Sequence, residues 1–490
     1  MTEKVDVLIV GAGLSGIAAA YYLGARCPHL SWTIVEGRDS IGGTWDLFRY
    51  PGVRSDSDMY TLGYRFRPWT GEKAIADGAS ILQYLKDTAR EFGIDRKIRF
   101  RHRVARVAWS SERAEWRVTI KRGDGGEHGE MRCRFLFMCT GYYRYDRGYM
   151  PEWRGTEDFA GDIVHPQAWG ARRHGPVGAD LNYAGKRVIV IGSGATAVTM
   201  APALAERAGH VTLLQRSPSY VASIPARDPT AARLRKRLPF KLAIWLMRWL
   251  QILRQRRHFH LARGKPQQAH DMLLEGVRDA LGSDYDVERH FTPRYNPWDE
   301  RLCLVPDNDL FNAIKAGAVS MATDRIERFV AEGILLESGE LLPADVIVTA
   351  TGLMMKIMHG VEIIVDGETV ELGDTVSYKG LMYSNIPNLA SSFGYTNASW
   401  TLKAELICEY VCRLLNYMAR RGYVQCRPRL SVDQAETAPF IDFSSGYVRR
   451  ALAELPKQGK RRPWKVYQNY FKDLLMMRYG RLNDGVMEFK

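Results

Sequence analysis

Two glycine-rich runs in this 490-residue sequence have the types and spacing to do chemistry. The first, Gly11-Ala12-Gly13-Leu14-Ser15-Gly16, follows the apolar run Val5 to Val10 and leads into the small, apolar stretch Ile17 to Leu23. In such a turn Gly11 permits a tight reversal, Gly13 lets the backbone approach a pyrophosphate, and Gly16 lets helix and strand pack closely. Phosphates then meet the unpaired N–H groups and the positive end of a helix, so Gly11, Gly13, Ser15 and Gly16 form the candidate cradle. A second strand-like run, Ser31 to Val35, ends in Glu36, at the spacing of a carboxylate that holds ribose hydroxyls and repels a 2′-phosphate. This seat suits FAD or NAD, not NADP.

The second run is Gly192-Ser193-Gly194-Ala195-Thr196-Ala197, entered from Arg187 to Ile191. The next strand-like run, Val211 to Leu214, ends in Gln215-Arg216-Ser217 with no acidic residue. A guanidinium and a hydroxyl there suit the 2′-phosphate of NADP through charge-assisted hydrogen bonds. One seat acidic at its ribose end and one basic together imply FAD plus NADPH in a single chain. Gly42-Gly43-Thr44-Trp45-Asp46, shortly after Glu36, is the loop expected to wrap the pyrophosphate and flavin, which makes Thr44, Trp45 and Asp46 cofactor candidates. Val104, inside the strand-like run Ile98 to Val107, is either a backbone contact to adenine or an ordinary strand residue.

These turns need parallel strands to hold them, and the predicted fold class is α/β, with two Rossmann-like dinucleotide-binding domains and a helical insertion in the second. Residues 1–145 form the first part of the FAD-binding domain; 146–350 form the NADP-binding domain, with an insertion at about 220–295. Residues 351–490 complete the FAD-binding domain and add a C-terminal region. Phe135 to Cys139 reads as a buried strand ending at Thr140-Gly141, and Leu341 to Thr349 as another that returns through Ala350-Thr351-Gly352. A helix is expected to follow Phe393 to Trp400 and run through Leu415. The basic, aromatic tail from Lys457 carries no readable role.

Composition narrows the alternatives. With 46% hydrophobic residues the chain can bury a large core, yet no uncharged apolar run is long enough to span a membrane. No signal-peptide pattern precedes the first strand, and the seven cysteines contain no CxxC pair. That favours a cytoplasmic setting and argues against a metal site or a dithiol redox centre. Cys408 and Cys412 read as core packing on one helix. The net charge of +14 is local: Arg233 to Lys265 holds 11 Lys and Arg and no Asp or Glu. Two readings of that segment stand: an interfacial helix lying peripherally on an anionic membrane, or a packed helix with a solvated basic face. No motif ties its charges to nucleic acid.

Two further patterns carry a family resemblance. Gly42-Gly43-x-Trp45, Tyr50-Pro51-Gly52 and Asp56 form one; Phe159-x-Gly161-x-x-x-His165-x-x-x-Trp169 forms the other. Together they resemble the signatures of class B flavoprotein monooxygenases of the Baeyer–Villiger type. The resemblance implies that NADPH reduces FAD, that O2 adds to the reduced flavin at C4a, and that a ketone is converted to an ester or lactone. It also implies oxidation of sulfides and thioamides at the same site; an N- or S-oxidising monooxygenase without ketone activity is the alternative. Arg301, in Asn296-Pro297-Trp298-Asp299-Glu300-Arg301-Leu302, aligns with the family's catalytic arginine, and Asp56 with the carboxylate that orients it. Glu300 departs from the lysine often found at that position, which leaves selection for NADPH to Arg216 and Ser217. His165 resembles a hinge residue.

Overall fold

The computed structural model describes residues 3–123, 127–169, 181–300, 302–431, 436–441, 443 and 445–490. Each glycine turn is seated in a parallel sheet of its own. β1 (Glu3–Val10) enters α1 (Leu14–Arg26), and β2 (Trp32–Val35) returns parallel to β1. Parallel strands covered on both faces need apolar residues on both. Val7 and Ile9 accordingly join the core under α1, while Leu8 and Val10 join the core on the opposite face.

The run Ile98 to Val107, expected as one strand, is two: β3 (Ile98–Arg99) and β4 (His102–Ser110). Arg101 between them adopts a left-handed φ of 58°, which turns the chain. β4, β5 (Glu115–Arg122) and β6 (Glu127–Met138) form an antiparallel meander, and β6 is long enough to pair in parallel with β1 as well.

The second unit comprises β7 (Asp162–Val164), β8 (Arg187–Ile191), α2 (Ala195–Ala205) and β9 (His210–Gln215). Helices follow: α3 (Pro229–Arg237), α4 (Phe240–Gly264) and α5 (Pro266–Leu281). Asp228 starts them, its carboxylate accepting from the N–H groups of Thr230 and Ala231, with Pro229 in the first helical position. The stretch just before it is not helical, because Val221–Ile224 pairs in parallel with Cys303–Pro306. β10 (Val319–Thr323) and β11 (Val346–Thr349) complete an all-parallel sheet of order β10-β9-β8-β11-β7. Leu341 to Thr349 is therefore not one strand: Leu341–Pro343 belongs to a small antiparallel sheet, and Pro343 lacks the N–H to carry a ladder onward.

The chain then rejoins the first sheet through β12 (Glu362–Val365), β13 (Glu368–Thr369) and β14 (Leu389–Ser391). That sheet has nine strands, ordered β13-β12-β4-β5-β6-β1-β2-β3, with β14 also paired to β6. α6 (Trp400–Arg421) packs on α1, and α7 (Tyr470–Tyr479) packs on α6. Cys408 and Cys412 are buried in this core, and none of the seven cysteines is in a disulfide. No helix among the described residues is long and apolar enough to cross a membrane.

Candidate functional site

The carboxyl ends of the central strands of both sheets open onto one cleft of about 2310 Å³, as expected for ligand sites in open α/β sheets. The two seats are built alike. A Cβ on Gly11 would meet the carbonyl of Cys139, at the end of β6; one on Gly192 would meet the carbonyl of Ala350, at the end of β11. Thr-Gly follows in both cases, as Thr140-Gly141 and Thr351-Gly352. Gly13 caps α1 and Gly194 caps α2, and neither cap supplies a side-chain acceptor. The first-turn N–H groups of both helices therefore face the cleft in need of an anion.

At the first seat Gly11, Gly13, Ser15, Glu36, Thr44, Trp45, Asp56 and Val104 all line the cleft. Glu36 is buried, with one oxygen accepting from the Ala12 N–H at 2.7 Å and the other from the Arg38 N–H at 3.0 Å. Burial pushes its carboxyl above the ordinary range, opposed by those two donors. Nη1 of Arg38, a cleft residue, is buried with no partner, a donor that fits a polar ligand beside Glu36. Ser15 is committed within the protein, accepting from Trp400 Nε1 at 2.9 Å and from the Ser392 hydroxyl at 3.0 Å. Gly16 and Asp46 stand behind the cleft wall. Gly16 lies against the Gly11 carbonyl, and Asp46 is ion-paired to Arg38 and Arg49.

At the second seat Gly192, Ser193, Gly194, Ala195, Thr196, Arg216 and Ser217 line the cleft, whereas Ala197 is buried in the helix–sheet core. Arg216 and Ser217 are exposed at the end of β9. Glu300 shares this wall. Burial raises its pKa, and the positive charges of Arg449 and Arg216 pull it back down. Arg301 lies outside the described residues.

The loop after Trp45 joins the two units. Gly52, at φ +78°, is pressed on α2: a Cβ there would sit 2.7 Å from the Thr199 carbonyl oxygen and 2.8 Å from the Ala203 Cβ. Half-buried Tyr50 shares a hydrogen bond with Thr196, and Arg54 is ion-paired to Asp309. Asp56 follows, exposed in the cleft.

The connectors between the sheets are bonded to each other. The Arg144 N–H donates to the Met354 carbonyl and the Lys356 N–H to the Tyr142 carbonyl, each at 2.8 Å. His165 braces this crossing. Its Nδ1 accepts from the Gln167 N–H at 3.1 Å, which leaves Nε2–H to donate to the Gly352 carbonyl at 3.2 Å. Burial lowers its pKa. Trp169 packs edge-on to Tyr183, 6.0 Å between ring centroids.

α4 forms the remaining wall, and its role is not evident from sequence periodicity alone. Buried Arg248 donates to the carbonyls of Tyr60 at 3.0 Å and Gly63 at 2.7 Å and to Glu405 at 2.7 Å. Gln255 donates to Asp58 at 2.8 Å, and Asp58 also accepts from Thr61. The available signal was Arg248 as a lone charge in register with Ile244 and Ile252 on one helix face. The insertion is thereby fastened to the first unit, so the packed reading of its inner face holds.

A family model for flavin-binding monooxygenase-like proteins matches residues 74–385, and a model for an NAD(P)-binding Rossmann-like domain matches residues 9–68. The FAD-containing monooxygenase EthA of Mycobacterium tuberculosis is 52% identical over 490 residues, covering 100% of this chain and 98% of its own. A probable FAD-binding monooxygenase, AlmA, of Acinetobacter baylyi is 43% identical over 492 residues, covering 100% of this chain and 97% of its own. Among solved structures, an oxidised steroid monooxygenase bound to NADP matches with a TM-score of 0.77 at 22% identity, over 99% of both chains. An open crystal structure of cyclohexanone monooxygenase matches with a TM-score of 0.74 at 21% identity, over 100% of both. With two glycine-turn seats on one cleft and a relative matched end to end at half its residues, the chain belongs to the flavin-binding monooxygenase-like family.

Proposed function

We propose that this protein is an FAD-containing monooxygenase that uses NADPH and O2 to convert ketones to esters or lactones, and that it also oxidises sulfides and thioamides. The observation that carries the reading is the single cleft shared by a seat ending in Glu36 and a seat ending in Arg216. FAD fits the first: Glu36 would accept from the ribose hydroxyls, the first-turn N–H groups of α1 would hold the pyrophosphate, and Thr44 and Trp45 would lie along the flavin. When bound, it supplies the redox chemistry, accepting two electrons from NADPH and delivering them to O2. Arg216 and Ser217 would hold the 2′-phosphate of NADPH, and the first turn of α2 its pyrophosphate.

In this reading Asp56 orients Arg301, and the Arg301 guanidinium stabilises negative charge that develops on oxygen in the cleft. α4 closes the wall with Gln255 and so limits water. His165 braces the connectors about which the units adjust. The division into 1–145, 146–350 and 351–490 is proposed on the same basis, supported by the two sheets and by the paired connectors at residues 142–144 and 354–356.

Replacing Arg301 by Ala tests the assignment. NADPH should still reduce the bound flavin while ester formation from a methyl ketone is abolished. Normal ester yield would remove Arg301 from the mechanism. Wild-type protein that oxygenates a sulfide but no ketone would turn the reading to the S-oxidising alternative.

A further inference from the structure

α4 has a second face that the site does not use. Its inner side carries Ala243, Ile244, Met247 and Arg248, all buried. At 100° per residue the opposite side presents Leu242, Trp245, Trp249 and Leu253 in one stripe. That stripe is open to solvent: Leu242 is 45% exposed, Trp245 55% and Leu253 51%, and Phe240 at the helix start is 42% exposed. Trp249 is within 6.3 Å of Trp245 and 6.1 Å of Tyr470 and Phe471, ring to ring, so the stripe continues to the start of α7. A contiguous apolar stripe of this kind on a water-soluble surface marks a binding surface.

The charges around it say what it binds. Lys236, Arg237 and Lys241 stand exposed at the corner between α3 and α4, and Arg256 and Arg257 follow Leu253 along the helix. None of the five makes an ion pair among the described residues, although other cations of the segment do: Arg248 with Glu405, Arg254 with Asp228, Arg263 with Asp299. No Asp or Glu lies between Arg233 and Lys265 to offset them. A second copy of the chain packed on this stripe would bring these cations against their own kind. Tryptophan and tyrosine between cations match the interfacial zone of a bilayer, where rings sit at headgroup depth and Lys and Arg meet anionic phosphates.

We propose that the outer face of α4, with the α3–α4 corner, is a docking surface for an anionic phospholipid bilayer. The helix lies in the plane of the interface with Leu242, Trp245 and Leu253 immersed, and its inner face continues to wall the cleft through Gln255. Docking depends only on this surface and not on which substrate the cleft accepts.

Flotation of the full-length, FAD-loaded protein tests this, with vesicles of phosphatidylglycerol and phosphatidylcholine set against phosphatidylcholine alone, at low and high salt. The protein should float with the anionic vesicles at least about tenfold more than with the neutral ones, and high salt should remove most of the difference. The pair Leu242→Glu and Trp245→Glu should lower flotation about tenfold or more, with NADPH oxidation and melting temperature unchanged. Lys236→Glu with Lys241→Glu should weaken binding only to the anionic vesicles. No flotation with either vesicle overturns the proposal. Equal flotation with both, unaffected by the charge reversals, overturns it as well. So does a wild-type dimer, seen by ultracentrifugation, that Trp245→Glu splits while lipid binding is absent.

Discussion

Gly52→Ala puts the joint between the two units to a quantitative test. The residue sits at φ +78°, where an L side chain costs about 1 kcal/mol. Its new methyl would stand 2.7 Å from the Thr199 carbonyl oxygen and 2.8 Å from the Ala203 Cβ, both on α2, so the loop and helix must part. Forcing a methyl into a packed contact costs about 1–3 kcal/mol. The sum, about 2–4 kcal/mol, falls on the seam between the units and spares each unit's own core. Hydride transfer requires the two seats in register, so a penalty paid there appears as slower flavin reduction, by about 30- to 1000-fold. Anaerobic stopped-flow reduction by NADPH reads this directly, with FAD content and dithionite reduction as controls for the first seat. A variant reduced by NADPH at the wild-type rate would show that the loop is not pressed on α2 during turnover.

Other outcomes follow from the same geometry. Glu300→Gln removes a carboxylate beside Arg216 and Arg449, and should lower KM for NADPH about fivefold, the equivalent of about 1 kcal/mol, with KM for NADH unchanged; equal changes for both would contradict its place near the 2′-phosphate. Arg248→Ala leaves Glu405 buried without its partner from α4, and should destabilise the protein by about 3–5 kcal/mol, read as a lower melting temperature; an unchanged melting temperature would mean that α4 is not anchored there. Burial disfavours the charged form of His165, so its folded pKa lies below the unfolded value of about 6.5. Its contribution to stability is full above that pH and is lost as pH falls below it, because the unfolded chain takes up the proton first. Wild-type protein should therefore lose more stability between about pH 7.5 and 5.5 than His165→Gln does, and parallel losses in the two proteins would refute the assignment.

What the sequence revealed of this molecule was local. The two seats were legible because each glycine run and its terminal Glu36 or Arg216 lie within one strand–turn–helix–strand unit, where spacing alone constrains geometry. The strand run at Ile98 to Val107 misled because its break depends on one residue, Arg101, whose positive φ has no compositional signal. Arg248 and Gln255 were missed because Glu405 and Asp58 lie 157 and 197 residues away. Tyr50-Pro51-Gly52 stood out as a motif, but the reason for Gly52 appears only when α2 is seen against it. Asp46, expected at the cofactor, stands behind the cleft wall, ion-paired to Arg38 and Arg49. The segment Arg233 to Lys265 shows the same limit. Its composition suggested either burial or an interface; the folded helix buries Ala243, Ile244, Met247 and Arg248 on one face and leaves Leu242, Trp245 and Leu253 exposed on the other.

In the proposed function the Glu36 seat and the Arg216 seat together deliver one oxygen atom from O2 to an organic substrate. The most direct measurement supplies the FAD-loaded protein with NADPH, a simple methyl ketone and isotopically labelled O2, and analyses the product by mass spectrometry. The expected product is an ester carrying one labelled oxygen, formed in step with NADPH consumption. NADPH consumed with hydrogen peroxide as the sole oxygen product, for ketones and sulfides alike, would contradict it.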